Sequence, residues 1–394
     1  MYVFEFGFNV AECLKVKQKE KGTNGRNIEK GEILLKKFPD GEFYARVISN
    51  IENEDCVVVQ SIYNNDEFVK TILILDAVQR SKAKSINLVI PYLTYMRQDK
   101  VFLKGEALSA EVILKILKGY ADKIFLVNSH IFRNIGEFEY AGIKIYNIDA
   151  FAEIAKYFKD LYLFSWDDVP GNNTEFLKFL KDSIKIEWVE NAVINKSEYN
   201  ETIDVIDKNC SSNLITFKLN KVEKKVILNI LNENMSEYIL KEENGKLNIY
   251  TFPKLKNPKV ISPDKGAIDV AEKCAKILDC ESDYLNKKRD TVTGKVLIEE
   301  KDLKIKGKDV LITDDIIASG GTMIEALKII KEQKPASINL ACVHGVFCNN
   351  ENFLMLRTLA DELVATNSIP NKAGKIDLSD LIAEELIKNK TIKI

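Results

Sequence analysis

The stretch Val310-Leu311-Ile312-Thr313-Asp314-Asp315-Ile316-Ile317-Ala318-Ser319-Gly320-Gly321-Thr322 decides how this chain reads. Its first half is a buried strand that ends in two adjacent carboxylates. A short loop with two glycines follows, and Thr322 opens a helix. Glycines let backbone N–H groups come close to an anion, and a helix N-terminus adds positive potential. The hydroxyls of Ser319 and Thr322 supply further hydrogen bonds, and Asp314 and Asp315 stand where they could accept bonds from sugar hydroxyls. A bare Gly-Gly turn would mean little. The bland alternative is a strand-to-helix turn with N-caps, but the order strand, double carboxylate, hydroxyl-Gly-Gly-hydroxyl, helix is specific.

Working outward, strand-like and helical patterns alternate. The segment 55–60 is short, β-branched and bounded by polar residues, so it reads as a buried strand. Residues 67–83 read as a helix with one apolar side. Residues 85–90 form a strand stopped by Pro91, 108–120 a helix and 123–128 a strand. The rhythm returns after 257, with strands at 259–262, 309–313 and 337–343 and helices at 267–278 and 322–332. Such β-α-β units imply parallel sheets with helices on both faces.

The stretch between them differs. It holds both tryptophans, Trp166 and Trp188, and no arginine. After one helical segment at 174–183 come short alternating runs at 186–194, 202–206, 214–219, 226–231 and 247–250, separated by turn residues such as Glu243-Asn244-Gly245-Lys246. The expected organisation is α/β, with two parallel-sheet domains at 1–147 and at 148–160 with 257–394, the second interrupted by a small antiparallel α+β insertion at 161–256.

Composition excludes several classes. The chain has 394 residues, 46% hydrophobic and 29% charged, which is the balance of an ordinary globular protein. Its net charge of −2 argues against a nucleic-acid-binding surface spread over the molecule. No apolar run reaches membrane-spanning length, and the N-terminus has no basic region or cleavage site, so neither a membrane nor a secretory route is expected and a cytoplasmic location follows by default. The seven cysteines contain no C-x-x-C pair, so buried reduced thiols are expected rather than a zinc site. Only two histidines occur, His130 and His344, and arginine is scarce beside lysine. Where lysine serves almost everywhere, arginine marks places that need a planar, two-pronged donor. This points at Arg97 and Arg289.

The loop at 310–322 resembles the phosphoribosyl-binding loop of type I phosphoribosyltransferases. Other segments narrow the resemblance to the ribose-phosphate pyrophosphokinase family: Phe38-Pro39-Asp40-Gly41-Glu42-Phe43-Tyr44-Ala45-Arg46-Val47, Pro91-Tyr92-Leu93-Thr94-Tyr95-Met96-Arg97-Gln98-Asp99-Lys100, Val127-Asn128-Ser129-His130, Val260-Ile261-Ser262-Pro263-Asp264-Lys265-Gly266, Asn286-Lys287-Lys288-Arg289 and Ile369-Pro370. They appear in the family's order over 1–160 and 257–394. The insertion resembles no family we recognise.

The resemblance implies an enzyme that moves the β,γ-diphosphoryl group of ATP onto the 1-hydroxyl of ribose 5-phosphate. It implies Lys287 and Arg289 as catalytic cations and Phe38, Asp40, Gly41, Glu42, Arg97 and Gln98 at ATP, the first four reaching a neighbouring subunit's site in at least a dimer. Arg289, Asp314, Asp315, Ala318, Ser319, Gly320, Gly321 and Thr322 would hold ribose 5-phosphate, and His130 and Asp264 a Mg²⁺ ion. Phosphoryl chemistry of this kind asks the protein mainly for positioning and charge neutralisation. Asn128-Ser129 replaces the Asp-Leu common before the histidine, Ala318 replaces a frequent polar residue and Asn286 a frequent acidic one. A phosphoribosyltransferase acting without ATP, and a non-catalytic paralogue, are the rival readings. The paralogue would be expected to lack groups such as Lys287, Arg289, His130 or Asp264, all of which are present.

Overall fold

The computed structural model describes residues 1–22, 27–132, 135–140, 142–159, 163–167, 203–208, 214–219, 238–243, 246–251, 255, 257–289, 296–299, 301–389 and 391–392. The expected helix at 174–183 and the runs at 186–194 and 226–231 lie outside them. The chain divides into two compact units, Met1–Tyr157 with Asn257–Ile394, and Phe158–Lys256.

In the first unit the N-terminal part carries a seven-stranded sheet. Its strands run in the order Glu29–Lys30, Tyr2–Glu5, Asp55–Val59, Ser85–Ile90, Lys123–Val127, Ile143–Ile148 and Gly136–Tyr140. Every pairing is parallel except the last, an antiparallel edge. Val58, Val59, Leu88, Val89 and Ile90 are fully buried, as expected of strands covered on both faces. The helix expected at 67–83 runs over Asn65–Arg80. Asn64 sets its start by accepting a bond from the Glu67 backbone N–H at 2.8 Å. It ends before Lys82, whose backbone is left-handed at φ 58°.

The C-terminal part is a six-stranded sheet, wholly parallel, in the order Glu281–Tyr284, Pro258–Ser262, Asp309–Ile317, Ser337–Gly345, Glu362–Thr366 and Gly374–Ile376. One expectation needs correcting here. The strand does not end at the two carboxylates: it runs on to Ile317, because Asp314, Ile316 and Ile317 stay in register with Cys342, His344 and Gly345. Ile317 is buried again past the charges.

The two parts of this unit are tied at both chain ends. The helix Val10–Glu20 packs along Ser379–Lys388, and the Lys17 ammonium reaches Asp380 at 2.8 Å and Glu384 at 3.0 Å. The helix Phe151–Lys159 follows the first sheet, yet its Tyr157 hydroxyl donates to Glu362 at 2.5 Å and its Phe151 carbonyl accepts from the Cys274 thiol at 3.6 Å.

The second unit contains a five-stranded sheet in the order Ile203–Lys208, Leu214–Leu219, Leu163–Asp167, Lys246–Thr251 and Tyr238–Glu243. Three pairings are antiparallel, and the central one, Leu163–Asp167 with Leu214–Leu219, is parallel.

Candidate active site

The site begins at the turn between Asp309–Ile317 and the helix Gly321–Glu332. Gly320 stands at the helix N-cap with φ 83°, a left-handed conformation that costs a side chain about 1–2 kcal/mol. A Cβ there would also lie 3.0 Å from Leu356 Cδ1. No side chain caps this helix, so its first N–H groups have no carbonyl of their own helix to bond. They surround a cavity of about 200 Å³ that Ala318, Ser319, Gly320, Gly321 and Thr322 line together with Asp264 and Asp314. Asp264 begins the next element inward: its Oδ1 accepts from the Gly266 N–H at 2.8 Å, capping a short 3₁₀ turn. Seven of the expected substrate and metal residues thus share one concavity.

The two neighbouring carboxylates differ sharply. Burial, then the charge of Asp315, pushes the Asp314 carboxyl well above the usual carboxylate range. Burial is the largest influence on Asp315 and acts upward, but the hydrogen bond and charge of His130, with the hydrogen bond from Asp314, together overcome it and the net shift is downward. His130 Nδ1 lies 2.7 Å from Asp315 Oδ2, and this bond raises the imidazole above its ordinary value. Burial thus disfavours charge on Asp314, whereas Asp315 holds its charge more readily and orients a histidine.

His130 sits on a turn held by two amides. Asn128 takes a left-handed backbone at φ 35°, which asparagine tolerates better than most residues. Asn147 bridges the turn, accepting from the Ser129 N–H at 3.1 Å and donating to the Phe132 carbonyl at 2.9 Å. His130 and Arg97 line two further cavities. One, of about 260 Å³, includes Ala318, Cys348 and His344. The other, of about 480 Å³, includes Asp99, Lys100 and Phe138. His130 and Asp264 therefore face different cavities, linked through Ile316 and Ala318, which line the first two.

Gln98 is partly committed elsewhere: its Oε1 accepts from the Ser109 hydroxyl at 3.0 Å, at the start of the helix Ser109–Lys118. Phe38, Asp40, Gly41 and Glu42 form the tip of a hairpin, Ile33–Lys37 with Phe43–Val47. Gly41 has φ 95°, and the Phe38 N–H donates to the Glu42 carbonyl at 2.8 Å. This tip is exposed, and none of its residues lines the three cavities. Lys287 and Arg289 lie in the strand Asn286–Arg289, paired antiparallel with Val296–Glu299 so that Lys287 faces Ile298 and Arg289 faces Val296 in register.

His344 proves to be a joint. It is 2% exposed, and its Nε2 reaches the Val127 carbonyl at 3.0 Å while Nδ1 meets the Ser368 hydroxyl at 2.9 Å. Burial pushes it down to about 4, so it is neutral, donating from Nε2 and accepting at Nδ1. The Ser61 hydroxyl adds a bond to the Ser368 carbonyl at 2.5 Å. The strand ends of the two sheets are thus stitched beside the cavities. The sequence assigns His344 no role and does not single out Ser61, Ser368 or Asn147. A lone Ser or Asn in a polar loop carries no local signal of such a contact.

Among the described residues no three His, Cys, Asp or Glu side chains converge to hold a metal on protein ligands alone. No helix among them is long and apolar enough to cross a membrane.

Comparison with known proteins gives the same outline. The model of the N-terminal domain of ribose phosphate pyrophosphokinase matches residues 5–120, and that of the phosphoribosyl transferase domain matches 239–360; together they take in more than half of the chain. Ribose-phosphate pyrophosphokinase 2 of Archaeoglobus fulgidus is 28% identical over 359 residues, spanning 91% of this chain and 92% of its own. The ribose-phosphate pyrophosphokinase of Sulfurisphaera tokodaii is 28% identical over 358 residues, spanning 89% and 90%. The crystal structure of phosphoribosylpyrophosphate synthetase from Mycobacterium smegmatis superposes over 99% of both chains with a TM-score of 0.57 at 18% identity, which shows a shared fold.

Proposed function

The chain belongs to the ribose-phosphate pyrophosphokinase family, and from that premise we propose that it transfers the β,γ-diphosphoryl group of ATP to the 1-hydroxyl of ribose 5-phosphate, releasing AMP. The observation that carries this reading is the cavity at 318–322, where a helix N-terminus without a side-chain cap, two hydroxyl residues and the carboxyls of Asp264 and Asp314 line one small concavity suited to a sugar phosphate. The 5-phosphate sits on the Ser319–Thr322 N–H groups. Asp314 and Asp315 face the ribose hydroxyls.

ATP takes the larger cavity beside Arg97, whose guanidinium suits a phosphate. The exposed tip at Phe38, Asp40 and Glu42 serves a neighbouring subunit, with Phe38 stacking on adenine and the carboxylates reading its edge. An active unit is then at least a dimer. Lys287 and Arg289 bring positive charge to the moving diphosphoryl group. The 1-hydroxyl attacks the β-phosphorus, the bond from that phosphorus to the α,β-bridging oxygen breaks, and AMP leaves with the oxygen.

Mg²⁺ suits Asp264, while His130 lines the neighbouring cavities and supports the site from there. Asp264 offers the hard oxygen that this ion prefers, and few protein ligands are needed when phosphates and waters complete its shell. Asp315 orients His130 from Nδ1, leaving Nε2 for a ligand, as carboxylates orient ligating histidines elsewhere. When bound, the ion neutralises phosphate charge. The expected organisation, domains at 1–147 and at 148–160 with 257–394 and an insertion at 161–256, places all of these groups outside the insertion.

An assay of AMP release tests the reading. Release should require both ribose 5-phosphate and Mg-ATP. Transfer of ribose phosphate to a free base without ATP consumption would replace it with a phosphoribosyltransferase.

A further inference from the structure

A loop that cradles an anion with backbone N–H groups faces a problem of its own making. Each peptide that turns its N–H inward turns its carbonyl outward, and that carbonyl needs a donor. Here three consecutive carbonyls at the mouth of the loop find one. The Ile317 carbonyl accepts from the Val346 N–H at 3.0 Å and the Phe347 N–H at 3.2 Å, and the Ala318 carbonyl from the Cys348 N–H at 2.9 Å. These donors belong to the segment that follows the neighbouring strand Ser337–Gly345.

The third carbonyl, that of Ser319, is out of reach of this backbone ladder. The Asn352 side chain meets it, with Nδ2 donating at 2.8 Å. An amide facing a carbonyl must present its nitrogen, so the orientation follows from the partner. Asn352 is itself fixed. It stands in the first turn of the helix Asn350–Leu359, where its N–H donates to the Asn349 Oδ1 at 2.9 Å. Leu356, one turn further on, closes against Gly320. The bracing segment also carries strain. Phe347 is left-handed at φ 45°, unusual for a bulky residue, and packs against Phe353 with ring centroids 4.9 Å apart.

We propose that Asn352 is a positioning residue for the ribose-phosphate loop, holding the Ser319 peptide with its carbonyl outward so that the following N–H groups face the 5-phosphate. The assignment rests on the reading of 318–322 as the phosphate cradle. Asn352 touches no substrate and acts only through the loop.

The test measures binding and turnover separately in the full-length protein. Asn352→Ala should raise Kd and KM for ribose 5-phosphate about three- to tenfold, the size of one hydrogen bond. KM for ATP should stay within about twofold and the melting temperature should not move. Asn352→Asp keeps the shape but loses the donor, so it should be at least as defective. Asn352→Gln keeps the donor and should recover part of the loss. An Asn352→Ala protein that binds ribose 5-phosphate as tightly as wild type by calorimetry overturns the proposal, as does an equal rise in both KM values with a lowered melting temperature. Wild type that binds ribose 5-phosphate but releases no AMP would remove the pyrophosphokinase reading alone, because the binding comparison still stands. Normal AMP release with unchanged binding in the variants removes only the positioning role.

Discussion

His344 should make the stability of this protein fall as the medium becomes acidic, over a window set by its burial. In the unfolded chain its imidazole titrates near 6.5; in the fold it is pushed down to about 4. Between those values the unfolded state holds one more proton than the folded state, so folding weakens as pH falls. The stabilisation is complete above about 6.5 and gone below about 4. A difference of some 2.5 units at 1.36 kcal/mol each corresponds to about 3 kcal/mol across the window. Urea unfolding of wild type and of His344→Gln from pH 7.5 to 4.5 would measure it. Glutamine retains a donor for the Val127 carbonyl and an acceptor for the Ser368 hydroxyl but cannot take up the proton. The difference in stability between the two proteins should therefore shrink or reverse by up to about 3 kcal/mol as pH falls. Parallel curves with no change in that difference would mean that His344 titrates normally and is not sealed at the joint.

Three other outcomes follow from the site. If Lys287 meets the transferring group as proposed, Lys287→Ala should lower kcat on the order of 10²-fold or more with little change in substrate binding; near-normal kcat with raised KM would make it a simple binding residue. An Asp40→Ala/Glu42→Ala protein mixed with Lys287→Ala should recover activity through hybrid sites, whereas no recovery under proven subunit exchange would give each chain a complete site. Joining Asp160 to Asn257 through a short Gly/Ser linker should leave an enzyme that still releases AMP. A soluble, correctly assembled protein without activity would make the insertion part of the site.

What the sequence revealed was what is written locally. Ser85–Ile90 appears with the expected bounds, and Leu214–Leu219 does too, because β-branched and apolar runs between turn residues report pleated, buried backbone. Gly320-Gly321 announced a turn that only glycine enters easily. The overshoot of Asp309–Ile317 beyond its carboxylates went unread, because charge normally marks a strand end and only the neighbouring strand supplies the pairing that continues it. Contacts far apart in sequence were invisible for the same reason. His130 and Asp315 are 185 positions apart, and His344 and Val127 are 217 apart. Neither pair leaves a periodicity. Asn352 is readable only after the carbonyl it serves has been located.

The helix Phe151–Lys159 has a consequence for how the chain matures on the ribosome. Its first turns are synthesised directly after the N-terminal sheet, and Phe151, Ile154 and Ala155 are buried in the finished fold. The groups that receive it, Cys274 and Glu362, are encoded more than a hundred residues later, on the far side of the insertion. At about 5–20 residues per second, these hydrogen bonds wait on the order of several seconds to some tens of seconds for their partners. Val10–Glu20 waits longer still, since Glu384 lies 367 positions after Lys17. The nascent chain therefore carries both helices well before the residues that bond them exist, so these long-range contacts close late in folding.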